Sequence, residues 1–377
     1  MITLTKLQDE AIQIVKQKIK EKQKIITIAG YAGTGKTTLV NYIIESLGYN
    51  QKEVAFAAFT GKASLVLQQK GIPATTLHSL LYTSFPKSDG TFIHKVKEEL
   101  DEPYRLIVID EISMVSMELL RVAMVHEIPI IALGDIGQLP PIGEDNGLLR
   151  SPDVILTEIQ RQDKDNPIIQ LSLDIREGRP LQIQKNEKVI IIDKKDLVSG
   201  MLLWADQVIC GYNETRSTLN QSMRTSLGFE DELPMKGEKI ICLKNYWSTL
   251  SKDTKTPLIN GTIGIIGETH LKTNKNIQLD FNPDYNSDVF KKINIDINPF
   301  LGKPHETKPT KRYAKQIVQQ DKHFDWGYAI TCHKSQGSSY EKVFVYEEYL
   351  NRASHKQWLY TAVTRASDKL IVVRAGQ

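Results

Sequence analysis

Cysteine is scarce in this chain. Three residues, Cys210, Cys242 and Cys332, stand among 377. They follow no metal-binding spacing and form an odd set, so the simplest reading is free thiols in a reducing compartment. Charge of one sign is lacking as well: Lys and Arg number 48, Asp and Glu 45, a formal net charge of +3. No global field announces a polyanion, so any nucleic-acid site must be a local groove. No apolar run approaches the roughly 20 residues of a membrane helix, and the N-terminus does not read as a signal peptide. Those absences predict a cytoplasmic protein off the membrane. Internal repeats and low-complexity tracts are missing too. What remains is a globular composition, 41% hydrophobic and 25% charged, with length for two or three domains.

The most informative stretch is GYAGTGKT at residues 30–37, after the apolar run KIITIA. Glycine, four residues, glycine, lysine and threonine between a strand and a helix form a loop that wraps nucleotide phosphates. Its glycines (Gly30, Gly33, Gly35) admit close backbone approach, and its amides, through Ala32, Thr34 and on to Thr38, point at the anion. The following helix adds the positive end of its dipole. Lys36 is placed for the outer phosphates and the Thr37 hydroxyl for Mg²⁺.

The surrounding pattern is α/β. Strands are expected at 25–29, 53–59, 105–109, 129–133 and 153–157, with helices near 37–47, 61–70 and 116–126. Such alternation predicts a parallel sheet covered by helices, with ligands at the C-terminal strand ends. Residues 82–100 interrupt it with a Ser-Asp-Gly turn between β-prone runs, and a hairpin is expected there. A second alternating series follows, with strands at 189–192, 206–210 and 239–243 and a helix at 213–224. It resumes at 326–345 and closes at 370–374. Between them, about 263–325 reads as a small β insertion. The Lys-rich stretch 16–24 reads as a solvated helix face.

LIVIDE at 106–111 is the second chemical element. A buried strand delivers two adjacent carboxylates at its end. Asp110 is placed to hold Mg²⁺, and Glu111 to orient and deprotonate an attacking water. The third is GDIGQLPPI at 134–142, where Gln138 offers an amide that can donate to phosphate and accept from water. A plain Gly/Pro turn is the competing reading. Arg161 in LTEIQRQ and Arg365 in LYTAVTRA are positive charges suited to a transferring phosphoryl group.

GYAGTGKT, FTGKAS, TTLHSLL, IDEISM, GDIGQLPPI, LTEIQRQ, AITCHKSQGSSY and LYTAVTRA occur here in the order and wording of superfamily 1 helicases. The chain resembles the 5′→3′ RecD/Dda-like branch, with the Pif1 branch as a near relation, over nearly its whole length. The resemblance implies two RecA-like parallel-sheet motor domains, 1–165 and 166–377, with ATP in the cleft between them. It implies a duplex-splitting pin at about 82–100 and an SH3-like β insertion at about 263–325.

By the same resemblance, Gln8 reads adenine. Lys36, Thr37, Asp110, Glu111 and Gln138 serve phosphate, metal and hydrolysis, and Arg161 and Arg365 reach the γ-phosphate. Thr60, Gly61, Lys62, Thr76 and His78 line a nucleic-acid groove in the first domain. Thr331, His333, Lys334 and Gln336 line it in the second, and Gln336 and Gly337 also approach the nucleotide. Tyr212 stacks on a base or on adenine, or is a core-edge tyrosine. Relatives carry proline where Phe59 stands and a bulky residue where Gln160 stands.

The expected activity is an ATP- and Mg²⁺-dependent DNA helicase, a monomer acting on single-stranded and forked duplex DNA. Single-strand-binding, replication or recombination proteins are expected partners. The alternative is a strand-stimulated translocase that displaces proteins, with RNA a possible track. Pin candidates are Phe85, Phe92 and His94, which otherwise pack the hairpin on its domain. Lys303, Lys308, Lys311, Arg312 and Lys315, with Tyr313 among them, make the insertion locally basic, as a strand contact or a solvated surface.

Overall fold

The computed structural model describes residues 4–86, 92–140, 144–158, 165–254, 256–285, 288–304, 321–351 and 354–375. Chain order in the first half is α1 (Lys6–Lys20), β1 (Ile25–Gly30), α2 (Lys36–Ser46), β2 (Val54–Ala58), α3 (Gly61–Gln69) and β3 (Ala74–Thr76). Then come α4 (Leu77–Leu81), β4 (Tyr82–Pro86), β5 (Phe92–Val96), β6 (Leu106–Asp110), α5 (Met117–Met124), β7 (Ile130–Gly134) and β8 (Val154–Leu156). Six strands form a sheet in the order β3-β2-β6-β7-β1-β8, all parallel. Burial on both faces explains why IITIAG and LIVID read as unbroken apolar runs.

Helix starts follow local chemistry. Thr5 caps α1 in a reciprocal box with Gln8, Thr60 caps α3, Thr76 caps α4 and Ser116 caps α5. On α1, Ala11, Ile12 and Val15 are buried, and its lysines face outward or pair at the surface. Among the described residues β4 and β5 pair only with each other, antiparallel, as the hairpin expected from the turn signal.

The second half runs α6 (Pro167–Glu177), β9 (Gln184–Lys185), β10 (Val189–Asp193), α7 (Ser199–Trp204), β11 (Gln207–Cys210) and α8 (Asn213–Ser226). It continues with β12 (Lys239–Cys242), β13 (Tyr246–Leu250), β14 (Pro257–Leu258), β15 (Ile263–Lys272), β16 (Asn276–Pro283), β17 (Phe290–Asp296) and β18 (Phe324–Trp326). Last come β19 (Ala329–Thr331), α9 (Cys332–Ser335), β20 (Tyr340–Tyr346), α10 (His355–Val363) and β21 (Ala366–Arg374). A second sheet has the order β19-β11-β20-β21-β10-β9, parallel except for β9.

One expectation is corrected. The run at 239–243 does not join the second parallel sheet. β12 pairs antiparallel with β15 and β18, inside a five-stranded sheet of order β17-β16-β15-β12-β18. Antiparallel strands therefore begin well before residue 263 and reach Trp326. A four-residue apolar run carries no mark of the sheet it will join.

Both parallel sheets have apolar cores on two faces. α6 starts at an Asn166 cap with Pro167 in its first turn and stops at left-handed Gly178. It places Ile168, Leu171 and Ile175 in the second sheet's core, which also receives Leu139 and part of Tyr31 from the first half. The antiparallel sheet shares a core with the other face of the second sheet, through Phe281, Phe324, Phe344 and Ile371. No helix among the described residues is long and apolar enough to cross a membrane.

Candidate nucleotide cleft and nucleic-acid interface

The C-terminal ends of β1, β6 and β7 meet at one edge of the first sheet. After β1 the chain turns through Gly33 and Gly35, both left-handed at φ 77° and 76°. Gly35 begins α2 without a side-chain cap, which leaves the first amides of the helix to an anion. Lys36 Nζ donates to the Gly30 and Tyr31 carbonyls, each at 2.9 Å. A Cβ on Gly30 would lie 2.7 Å from Thr34 Oγ1, so the loop closes only on glycine. Gln8 is buried and donates to the Thr34 carbonyl at 3.4 Å, which puts its amide against the loop. Thr38 is exposed on α2.

Asp110 ends β6, and its carboxylate accepts the Glu111 amide N–H at 2.9 Å. Glu111 is held at φ 54°, a conformation non-glycine residues seldom take. Burial raises the Asp110 pKa against the pull of Lys36. Glu111 is pushed up to about 7, first by burial and then by Asp110, while Arg365 and Lys36 oppose the rise. Thr37 and Asp110 both border one small cavity whose other walls are apolar, among them Val40, Phe56 and Leu133, so the cavity itself is no ion site. A hydroxyl and a carboxylate oxygen suit Mg²⁺, which takes its other oxygens from water and phosphate. Among the described residues no group of three or more His, Cys, Asp or Glu forms a metal cage.

Gln138 is buried in the turn after β7. Its backbone N–H donates to the Asp135 carbonyl at 3.2 Å, and its side-chain Oε1 has no partner among the described residues. Arg365 comes from the second half and is buried. It donates to the carbonyls of Thr361 at 3.0 Å and Ser338 at 3.1 Å. Arg161, and Gln160 beside it, lie outside the described residues. Gly337, at φ 70°, faces Thr60, whose Oγ1 would be 2.9 Å from an added Cβ. Gln336 is buried and donates to the Leu139 carbonyl at 3.1 Å, across to the turn that carries Gln138.

The residues expected along a strand groove gather where α3, α4 and α9 begin. Thr60 caps α3 and Thr76 caps α4, each by accepting a backbone N–H at 3.1 Å. Lys62 Nζ lies 4.6 Å from the Tyr340 ring of the second half. Gly61 packs so tightly on Ile259 that an added Cβ would sit 2.3 Å from Cδ1. His78 is stacked on Tyr82 at 6.0 Å and tilted against Phe59 at 6.1 Å. That crowding, with His94 nearby, holds its pKa below the usual histidine value.

Thr331 precedes α9, which carries His333 and Lys334, both with pKa values lowered chiefly by burial. Tyr212 is 45% exposed, and its hydroxyl donates to the Tyr349 carbonyl at 3.1 Å.

On the hairpin, Phe85 pairs with Ile93 and both are exposed, with Lys95 5.8 Å from the Phe85 ring. Phe92 pairs with Pro86, and exposed His94 faces Ser84 across the strands. Lys303 is exposed, whereas Lys308, Lys311, Arg312, Tyr313 and Lys315 lie outside the described residues.

Sequence reasoning missed Tyr360, Asp135 and Thr361. Tyr360 Oη accepts the Ala32 N–H at 2.9 Å and donates to Asp135 Oδ2 at 2.9 Å. Thr361 Oγ1 accepts the Leu139 N–H at 2.9 Å. Tyr360 and Thr361 stand inside LYTAVTRA, where the arginine drew the attention. Their contacts span more than two hundred residues of chain and leave no local signal.

Two separate parallel sheets, with a phosphate loop where the halves touch, define the class: a P-loop α/β protein whose nucleotide cleft is walled by a second α/β unit. The family described as AAA domain matches residues 4–197, and the UvrD-like helicase C-terminal domain matches 327–373. The chain is 27% identical to the phage T4 protein named ATP-dependent DNA helicase dda, over 96% of this chain and 97% of that one. It is 27% identical to the ATP-dependent RecD2 DNA helicase of Deinococcus radiodurans, over 92% of this chain and 46% of that one.

Solved structures share the fold. A Pif1 helicase structure concerned with forked duplex DNA superposes with a TM-score of 0.59 at 18% identity, covering 99% of this chain and 92% of that one. The Bacteroides Pif1 helicase solved with ADP-AlF3 and single-stranded DNA gives 0.55 at 20% identity, with 99% and 92% covered. The chain belongs to the AAA-domain family, and within it to the superfamily 1 helicases of the Dda, RecD and Pif1 kind.

Proposed function

We propose that this protein is an ATP-dependent DNA helicase that travels 5′→3′ on a single strand and separates the duplex ahead of it. The observation that carries the reading is the contact between the halves at the phosphate loop: Tyr360 Oη of the second half accepts the Ala32 N–H at 2.9 Å, and the helix that bears Tyr360 leads into Arg365. A hydrolysis site built from both halves makes closure and chemistry one event. The two motor domains are 1–165 and 166–377.

ATP enters with its phosphates on the 30–37 loop and its adenine beside Gln8. Lys36 turns from the loop carbonyls to the outer phosphates. Thr37 and Asp110 would hold Mg²⁺, which would screen the phosphate charge. Glu111 takes the proton of the attacking water, and Gln138 Oε1, which has no partner among the described residues, accepts from that water. Arg161 and Arg365 reach the γ-phosphate only across a closed cleft, so ATP favours the closed state and hydrolysis releases it.

Strand is held by Lys62, His333 and Lys334 and by the helix starts at Thr60, Thr76 and Thr331. These phosphate contacts carry no sequence, and the Phe59–His78–Tyr82 column offers a surface for bases. The chain works as a monomer. Forked duplexes with a 5′ or a 3′ single-stranded tail test the reading, with ATP and Mg²⁺ present or withheld. Unwinding only of the 5′-tailed fork, lost on chelation, is expected. Unwinding of the 3′-tailed fork alone reverses the polarity, and ATPase without unwinding of either fork points to a protein-displacing translocase.

A further inference from the structure

Among the described residues, the second domain hydrogen-bonds the phosphate loop through one buried hydroxyl. Tyr360, on α10, is 1% exposed. Its Oη sits between the Ala32 N–H and Asp135 Oδ2, 2.9 Å from each. Asp135 is buried, and its other oxygen accepts the Gly137 N–H at 2.9 Å. The Asp135 carbonyl accepts the Gln138 N–H at 3.2 Å. The ring lies on Gly137 so closely that a Cβ there would meet ring carbons at 2.7 Å.

The same turn is held at two further points: Thr361 Oγ1 accepts the Leu139 N–H, and Gln336 donates to the Leu139 carbonyl. α10 then leads directly into Arg365. The turn carrying Gln138 is thus set from the second domain, and its only direct tie to the phosphate loop through that domain's side chains is the Tyr360 hydroxyl among the described residues.

We propose that Tyr360 is a positioning residue for ATP hydrolysis, whose hydroxyl fixes Gln138 against the phosphate loop when the cleft is closed. The inference rests on the proposed function and names a group in that same site. Packing alone does not account for the hydroxyl. A phenylalanine would fill the space beside Gly137, whereas a hydroxyl in this place answers a buried carboxylate and a loop amide that would otherwise be left unpaired. Loss of the hydroxyl removes the bond that joins Asp135, at the start of the turn, to Tyr360. Misplacement on the ångström scale at a reacting centre lowers rate more than it lowers substrate binding.

The test compares the full-length protein with Tyr360→Phe and Asp135→Asn, using an oligo-dT strand and ATP hydrolysis from limiting to saturating ATP. Tyr360→Phe is expected to lower strand-stimulated kcat about 10- to 100-fold. KM for ATP should stay within about twofold, and the thermal midpoint should fall by only about 2–6 °C, because one buried hydrogen-bonding group is lost while the ring remains. Asp135→Asn should lower kcat, and the double variant should fall no further than the worse single one, since both break one bond. A Tyr360→Phe protein with wild-type kcat overturns the inference while the ATPase reading stands. A rise in KM with kcat intact also overturns it, because the hydroxyl would then serve ATP binding only. A wild-type protein that hydrolyses no ATP overturns the proposed function, and this inference with it.

Discussion

The Arg176 guanidinium lies 3.8 Å from the ring centroid of Tyr31, and the Tyr360 ring meets the same tyrosine edge-on at 6.3 Å. Tyr31 belongs to the phosphate loop, while Arg176 and Tyr360 belong to α6 and α10 across the cleft. One Arg176 nitrogen, Nη1, is buried without a partner among the described residues. A cation over a ring at this depth contributes about 1 kcal/mol, and here it ties the loop to the opposite domain.

Arg176→Ala should therefore raise KM for ATP roughly fivefold, the equivalent of about 1 kcal/mol. Arg176→Lys should recover only part of it, because the ammonium cannot stack flat on the ring. Steady-state ATPase with a saturating strand checks this. An unchanged KM in both variants would show that the stack contributes nothing to closure.

Glu111 is the group assigned to the attacking water. Glu111→Gln keeps size and removes the base, so strand-stimulated kcat should drop about 10²- to 10⁴-fold. Nucleotide binding, followed with a fluorescent ATP analogue, should survive, since Lys36 and the loop amides remain. A rate within tenfold of wild type would move the base elsewhere.

The hairpin prediction separates two side chains. Phe85 and Ile93 form an exposed apolar pair facing the same way, a shape suited to pushing between bases. Phe85→Ala should cut fork unwinding several-fold with ATPase kept, and Phe92→Ala run beside it tells whether the tip contributes too. Equal unwinding by both variants and wild type would take the hairpin out of strand separation.

Gly61 and Ile259 give a size test of closure. Gly61→Ala forces a methyl toward Ile259, whose own Cβ would be 3.0 Å away. The α3 start should then stand off the second domain, and strand-stimulated ATPase should fall. Ile259→Ala in the same chain should restore most of it. If the double variant stays as slow as Gly61→Ala, the lost activity comes from α3 itself.

Much of this architecture was readable from the chain. The parallel sheet showed itself in apolar runs such as IITIAG and LIVID, because strands buried on two faces cannot alternate. The phosphate loop was legible because its chemistry is local: Gly33 and Gly35 need left-handed φ, and Lys36 must follow them. β12 was misassigned because KIIC says nothing about its partner. The grip on the 135–139 turn was invisible for a related reason. Tyr360, Thr361 and Gln336 reach it from far along the chain, and only the folded molecule sets them side by side.

Arg224 on α8 is buried against Glu238 at the root of the antiparallel sheet, donating from Nε at 2.6 Å, and its guanidinium lies 3.8 Å from the Trp326 ring on that sheet's last strand. Removing one partner of such a buried pair costs about 3–5 kcal/mol. That rivet, together with the shared core, makes the appendage and its motor half a single casting. Fluorophores placed one on each should keep a constant separation through the whole ATPase cycle, so whatever swings over the DNA swings with the entire C-terminal half.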